Sequence, residues 1–316
     1  MCYWCAKRPI NCSPNRPNEA LGLITDSILF TKAILNLDII DSKESNMTMN
    51  LGEKVQEKVP YHLEFPKTDN TLEQDEEWCL LTMGDEKRKI RFHDYHELYE
   101  IPGLYEDVFY NELKCQSPQV ICSLLQEQLE KNNTQGSDLH VIDVGAGNGM
   151  VGEELANMGS KHIIGVDIIQ EAKDATYRDR PTVYKDYLVA DLTDLSPEHK
   201  TVLREEPFNC LTTVAALGFG DIPPRAFAEA YNAVCNGGWI AFNIKDRFLE
   251  DVDPSGFCKL IRTMKEKTIF DIKTYHRYRH RLATDGTPLY YIAVVAQKKE
   301  DISEELLQNI EQTTTH

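Results

Sequence analysis

Asp143, Asp167 and Asp191 each stand at or near the end of a short apolar run: 139–144, 162–167 and 185–191. A carboxylate held at a strand end accepts hydrogen bonds from whatever lies beyond the sheet. Asp167, 18 residues after Gly149, can accept from two ribose hydroxyls. At Asp191, which ends the third run, a carboxylate can accept from an adenine amino group. Between the first two carboxylates lie Gly145, Ala146, Gly147, Asn148 and Gly149, with glycine at alternate positions. A Cβ at those glycines would keep a ligand off the backbone or forbid the turn. The chemistry that this pattern offers is the grip on a nucleotide-like ligand.

The elements that position these groups follow from the pattern around them. Val141, Ile142 and Val144 suit a buried parallel strand. After Gly149 the spacing of Met150, Val151, Leu155 and Met158 is helical. Strand, glycine turn and helix bring backbone amides close to a bound nucleotide. The alternation continues: strands near 162–167, 185–190, 208–214 and 239–244, and helices near 169–177, 197–205, 224–235 and 254–265. Five βα units in a row predict a parallel, doubly wound sheet. The ending departs from it. Residues 269–281 and 288–297 read as strands joined by a short link that contains Asp285-Gly286, which is a hairpin. One late strand must then be antiparallel. A helix at 118–131 precedes the sheet, and a short hairpin is predicted around Trp78 to Ile90.

Composition bounds the reading. The chain has 316 residues and a net charge of -17. Residues 1–60 are neutral and the excess acid falls on the remainder. Such a chain is a poor default binder of nucleic acid, which needs clustered Lys and Arg. The nine cysteines are scattered. They imply reduced thiols and an intracellular, cytoplasmic location rather than a disulfide framework. Cys2, Cys5 and Cys12 resemble half a zinc site without its second half, so no metal is expected. The stretch Leu21–Ile40 is interrupted by Asp26, Lys32 and Asp38. It reads as a short amphipathic helix and not as a membrane span. Residues 1–60 read as a variable, poorly ordered extension, and 301–316 as a C-terminal tail.

Gly147, Gly149 and Gly152 also satisfy Gly-x-Gly-x-x-Gly, so a nicotinamide-dependent oxidoreductase is a rival. Asp143 stands where a dinucleotide site prefers a small or apolar residue, and a dehydrogenase sheet would continue with βα units in place of the hairpin. A second rival is a non-catalytic binding protein of the same fold. The stretch 141–149, with Ile-Ile-Gly-Val-Asp at 163–167, Val-Ala-Asp-Leu at 189–192, 208–214 and Asn-Gly-Gly-Trp-Ile-Ala-Phe at 236–242, resembles the class I S-adenosylmethionine-dependent methyltransferases. The resemblance covers roughly 138–297. Within the class, the run from Gly149 to Asp167 is most similar to small methyltransferase-like proteins of the Williams-Beuren region type.

This resemblance implies a Rossmann-like α/β fold with a seven-strand, mostly parallel sheet. It implies a methyltransferase domain over 138–300, an N-terminal lid or cap region with helices over 61–137, and S-adenosyl-L-methionine as cofactor. It implies roles by position. Asp143 and the backbone of Gly145, Ala146, Gly147, Asn148 and Gly149 would hold the methionine end. Asp167 would bind the ribose, with Ile168 on the adenine. Asp191 would meet the adenine amino group beside Leu192, and Val214 and Ala215 would face the methionine amine. For Asp143 the alternative is a buried carboxylate that caps its own turn, and for Asp167 and Asp191 it is helix capping.

Methyl transfer to a nucleophile is an in-line displacement that needs alignment more than a fixed base. The sequence accordingly names no catalytic residue. Tyr95 and His96, in the aromatic stretch 93–110, are candidates for a lid or a base, with plain packing as the alternative. The acceptor is unidentified. The segment 215–224 lacks the Asn/Asp-Pro-Pro-Tyr pattern of exocyclic nitrogen targets, and Cys210 reads as core. The one basic cluster, Lys273–Arg281, reads first as a charged edge strand and second as an anion site.

Overall fold

Aliphatic runs too short for helices and buried on both faces become the inner strands of a parallel sheet. The computed structural model describes residues 60–66, 73–218, 221–246 and 255–314. The Cys2–Cys5–Cys12 cluster and the helix expected within 21–40 lie outside the described residues. The chain divides into two units. Among described residues one is built on 116–278 with 291–314, and the other on 60–115 with 279–290.

The larger unit carries a seven-stranded sheet in the order β6-β5-β4-β7-β8-β10-β9. Its strands are β4 (His140–Val144), β5 (His162–Asp167), β6 (Asp186–Val189), β7 (Cys210–Thr213), β8 (Trp239–Lys245), β9 (Phe270–Leu282) and β10 (Pro288–Lys298). β4 to β8 run parallel and β10 is antiparallel to β8. From β4 the chain first builds outward through β5 and β6, then returns to the other flank with β7. The order therefore reverses between β4 and β5 on one side and β7 on the other, and a crevice opens there at the carboxyl ends of the strands. Val141, Ile142, Ile163, Leu211 and Ile240 are buried along these strands.

The helices follow their sequence signals. In the larger unit, α3 (Ser117–Lys131) turns Ile121, Cys122, Leu125 and Leu129 inward and packs on β8 and on α4 (Met150–Asn157). α5 (Gln170–Asp179) and α6 (Pro197–Glu205) follow β5 and β6. Ser196 caps α6 by accepting from His199 N–H (3.1 Å). α7 (Pro224–Ala233) ends where buried Lys298 donates to the carbonyls of Tyr231, Asn232 and Val234. α8 (Phe257–Glu266) leads into the hairpin. Within the stretch expected as a C-terminal tail, Glu304–Thr314 is helical (α9). Leu306, Leu307 and Ile310 supply it with a buried face, and Arg225 clasps Glu304 and Glu311.

The smaller unit has an antiparallel sheet of β1 (His62–Glu64), β2 (Trp78–Met83) and β3 (Glu86–Arg91). The expected hairpin is β2–β3; β1 is an added strand that no period in the sequence announced. α1 (Tyr95–Glu100) and the single turn α2 (Leu104–Glu106) lead into a π-helical stretch, Asp107–Glu112. The core includes Leu81, Ile90, Phe92, Leu98, Leu104 and Phe109. The tip of the β9–β10 hairpin belongs to this unit. Buried Glu77 is ion-paired with Arg281 and accepts from Thr284 N–H (2.6 Å), and Leu282 N–H donates to the Leu113 carbonyl (2.7 Å). At the tip itself, Asp285 Oδ1 accepts from Thr287 N–H (2.8 Å).

Candidate functional site

The turn after β4 is built by glycine. Gly145, Gly147 and Gly149 all have positive φ, at 71°, 54° and 88°. At Gly145 space is short as well, since a Cβ would stand 2.7 Å from the Ala216 Cβ. That contact sets the glycine turn against the segment leaving β7. Gly149 precedes α4, and Gly152 within that helix lets Tyr184 and Val183 pack where a Cβ would collide. The third glycine of Gly-x-Gly-x-x-Gly thus serves helix packing here.

Hydrogen bonds fix the turn from both sides. Gly147 N–H donates to Asp167 Oδ2 (3.0 Å). The Gly147 carbonyl accepts from Thr176 Oγ1 and Tyr187 Oη, each at 2.8 Å. Gly145 and Ala146 donate to the Val166 carbonyl at 2.9 and 3.2 Å, and Gly149 donates to that of Ala146 at 3.0 Å. Asn148 is buried, and its carbonyl accepts from Arg180 (3.3 Å).

Asp143 is 1% exposed. Thr212, its register partner on β7, donates to Oδ1, and Tyr184 donates to Oδ2, both at 2.6 Å. Burial pushes its carboxyl up to about 6 against the downward pull of those two hydrogen bonds, and Asp167 adds to the rise. Its oxygens thus tie β4 to β7 and to the loop before β6. These two hydroxyls are its side-chain partners, whereas a carboxylate that caps its own turn would accept from the amides just after it.

Asp167 ends β5 and is half-buried. Oδ1 accepts from Ile169 N–H (3.1 Å). Burial raises its carboxyl above the ordinary range, the amides of Gly147 and Ile169 offset part of that, and Asp221 raises it further. The next residue, Ile168, is 61% exposed, an aliphatic side chain presented to solvent directly beyond the carboxylate. Asp191 is exposed, and Oδ1 accepts from Thr193 N–H (2.7 Å) and Thr193 Oγ1 (2.6 Å), which lower its carboxyl. It closes its own turn, and Leu192 beside it is buried.

Across the switch point Val214 is buried, whereas Ala215 is exposed with φ 57°. A left-handed alanine is held only where its surroundings insist. Ala215 N–H donates to Asn243 Oδ1 (2.6 Å). Asn243 on β8 is fully buried, and its Nδ2 donates to Tyr278 Oη (2.6 Å) and Ser117 Oγ (3.1 Å). Those two hydroxyls also bond each other at 2.6 Å.

The crevice thus gathers the glycine turn, two strand-end carboxylates, exposed Ile168 and left-handed Ala215. Residues 142–242 match the family model described as a methyltransferase domain. The matched segment runs from β4 to β8 and contains the glycine turn, Asp167, Asp191 and Ala215. Among solved structures the chain is similar to an S-adenosylmethionine-dependent methyltransferase from Methanosarcina mazei, at 15% identity and TM-score 0.41, over 55% of this chain and 98% of that one. It is also similar to magnesium protoporphyrin IX methyltransferase from Synechocystis with bound S-adenosylmethionine, at 15% identity and TM-score 0.40, over 58% and 79%. No curated protein matches the chain.

Several supporting residues of this segment escaped the sequence reading. Tyr184 and Tyr187 left no signal that ties them to the turn. Thr212 read only as a strand residue. Asn243 did leave one, as a polar side chain inside the apolar strand 239–245. Cys210 is core as expected, and burial pushes its thiol up. Tyr95 and His96 lie on α1 of the smaller unit; His96 is exposed, and Tyr95 stacks on Tyr99 at 6.3 Å between centroids. The basic cluster is largely spoken for: Lys273 pairs with Asp271, Arg277 with Asp246 and Arg281 with Glu77. Among the described residues no group of three His, Cys, Asp or Glu side chains converges as a metal site, and no helix is long and apolar enough to cross a membrane.

Proposed function

We propose that the chain is an S-adenosylmethionine-dependent methyltransferase acting on a small molecule or a protein inside the cell. One observation carries the reading. At the carboxyl end of β5, beside the switch point, Asp167 binds Gly147 N–H and is followed at once by exposed Ile168. A carboxylate at that place accepts ribose hydroxyls, and an aliphatic side chain next to it covers an adenine face. Asp191 reaches the adenine amino group, and the backbone of 145–149 with Val214 and Ala215 takes the methionine end. Asp143, at the end of β4 just before that turn, belongs to the same methionine-end group.

When bound, the donor supplies a methyl group activated by positive sulfur. The residues of the chain fix the adenosine and the amino-acid end so that the methyl has one direction of approach. Alignment of that kind contributes at best about 7–11 kcal/mol to lowering a barrier. No base is assigned. Tyr95 and His96 enter as candidates for the acceptor side, and the acidity of the chain favours an acceptor other than nucleic acid. The narrower kinship with the Williams-Beuren region type rests on the run from Gly149 to Asp167.

The nicotinamide reading loses support at Gly147. A pyrophosphate needs the amides of this turn. Here Gly147 N–H is bonded to a carboxylate, with Asp143 buried close by, a field that suits a cationic sulfonium and repels phosphate. Isothermal titration of the whole protein separates the two. Saturable binding of S-adenosylmethionine and S-adenosylhomocysteine is expected, with none of NAD or NADP, and Asp167→Ala weakens both complexes by about tenfold or more. Binding of a nicotinamide cofactor instead, or no saturable donor binding at millimolar concentration, overturns the reading.

A further inference from the structure

Asn243 belongs to none of the donor-contact positions, yet it holds one of them. It is fully buried on β8, and its amide orientation is settled by its neighbours: only Oδ1 can accept from Ala215 N–H. Nδ2 then faces Tyr278 Oη and Ser117 Oγ, which brace it from β9 and from the start of α3. Three elements thus converge on one peptide hydrogen.

The consequence lies on the other side of that peptide. The Val214–Ala215 bond is trans and planar, so its carbonyl points opposite to its N–H. With Ala215 N–H drawn toward buried Asn243, the Val214 carbonyl is turned away from the interior. The same pull sustains the left-handed φ of Ala215, which alanine would otherwise avoid. Ala216, next after this peptide, lies against Gly145, so the segment that carries the carbonyl runs alongside the glycine turn.

We infer that Asn243, braced by Ser117 and Tyr278, is the positioning residue that aims the Val214 carbonyl at the α-ammonium of the methyl donor. It rests on the donor reading above and deepens it. The amino-acid end of the donor is thereby sensed through a network that never touches it, and the adenosine end is not.

Two ligands divide those ends. S-Adenosylhomocysteine carries the ammonium; 5′-methylthioadenosine shares the adenosine and thioether but lacks the amino acid. Titration of the full chain with each is the test. For Asn243→Ala the affinity for S-adenosylhomocysteine falls about tenfold while that for 5′-methylthioadenosine stays within about twofold. Asn243→Asp keeps the acceptor at Oδ1 and can accept from both hydroxyls, so it restores the first affinity. Tyr278→Phe loosens Asn243 without emptying its place, and gives the same split at smaller size, which serves if Asn243→Ala does not fold. Equal loss of both ligands in the folded variants, or no loss of either, overturns the proposal. Wild-type protein that binds neither ligand overturns the donor reading itself.

Discussion

Two regions each bury a carboxylate, and they treat it differently. Asp143 in the sheet unit and Glu77 in the smaller unit are both 1% exposed. Glu77 is met by a guanidinium, Arg281, which also lies over the rings of Phe92 and Phe109. Asp143 is met by two neutral hydroxyls, and its carboxyl is pushed up to about 6. A cation beside Asp143 would remove that cost, yet among the described residues none is paired with it. The contrast teaches what each site is for. Glu77 has its countercharge within the fold and closes a core. Asp143 keeps its negative charge without a countercharge just before the glycine turn, which the proposed donor, a cation, would supply.

The largest break of this contrast is removal of the built-in cation. Arg281→Met strands Glu77 in an apolar surrounding and should lower unfolding stability by about 3–5 kcal/mol. The double variant with Glu77→Gln should recover most of that. Urea unfolding measures both, and a single variant as stable as wild type would mean that the pair is not buried in solution.

Next comes the uncompensated carboxylate. Its folded value, about 6, lies above the unfolded value near 3.8. The folded state therefore binds more protons than the unfolded state between these values, and stability falls as pH rises from about 4 to 6. The shift corresponds to about 3 kcal/mol. Asp143→Asn removes that proton, so the dependence of melting temperature on pH in this window should flatten. An unchanged profile would assign the titration to another group.

The smallest effect is at Ala215. Ala215→Gly releases a left-handed alanine and should change stability by no more than about 1 kcal/mol in its favour, since glycine also loosens the unfolded chain. Thermal unfolding reads it; a loss of stability would show that the methyl group matters more than the backbone.

Most of the fold was legible because it rests on local signals. The βα alternation, the glycine turn and the Asp285-Gly286 link are all written within a few residues of where they act. Asp167 was legible because a strand end specifies where its carboxylate stands. The partners of Asp143 were not, because Tyr184 and Thr212 are 41 and 69 residues away. Only the register of β7 and the course of the loop before β6 bring them there. The basic run 273–281 was legible as a charged edge strand, and β9 does stand at the edge of the sheet, but its partners were not. On paper it is a cluster of like charge, whereas in the fold each of Lys273, Arg277 and Arg281 meets its own carboxylate. β1 went unseen because His62–Glu64 is too short to show a period.

Glu77 and Arg281 are 204 residues apart in the chain. At roughly 5–20 residues per second of synthesis, Arg281 leaves the ribosome some 10–40 s after Glu77. The smaller unit therefore cannot finish when its own first hundred residues emerge. It waits, with Glu77 solvated, until the sheet unit has been made and the hairpin delivers its tip. A nascent chain stopped before 281 is expected to be a protease-sensitive species at its N-terminal end, and the last hairpin doubles as a completion signal for the first domain.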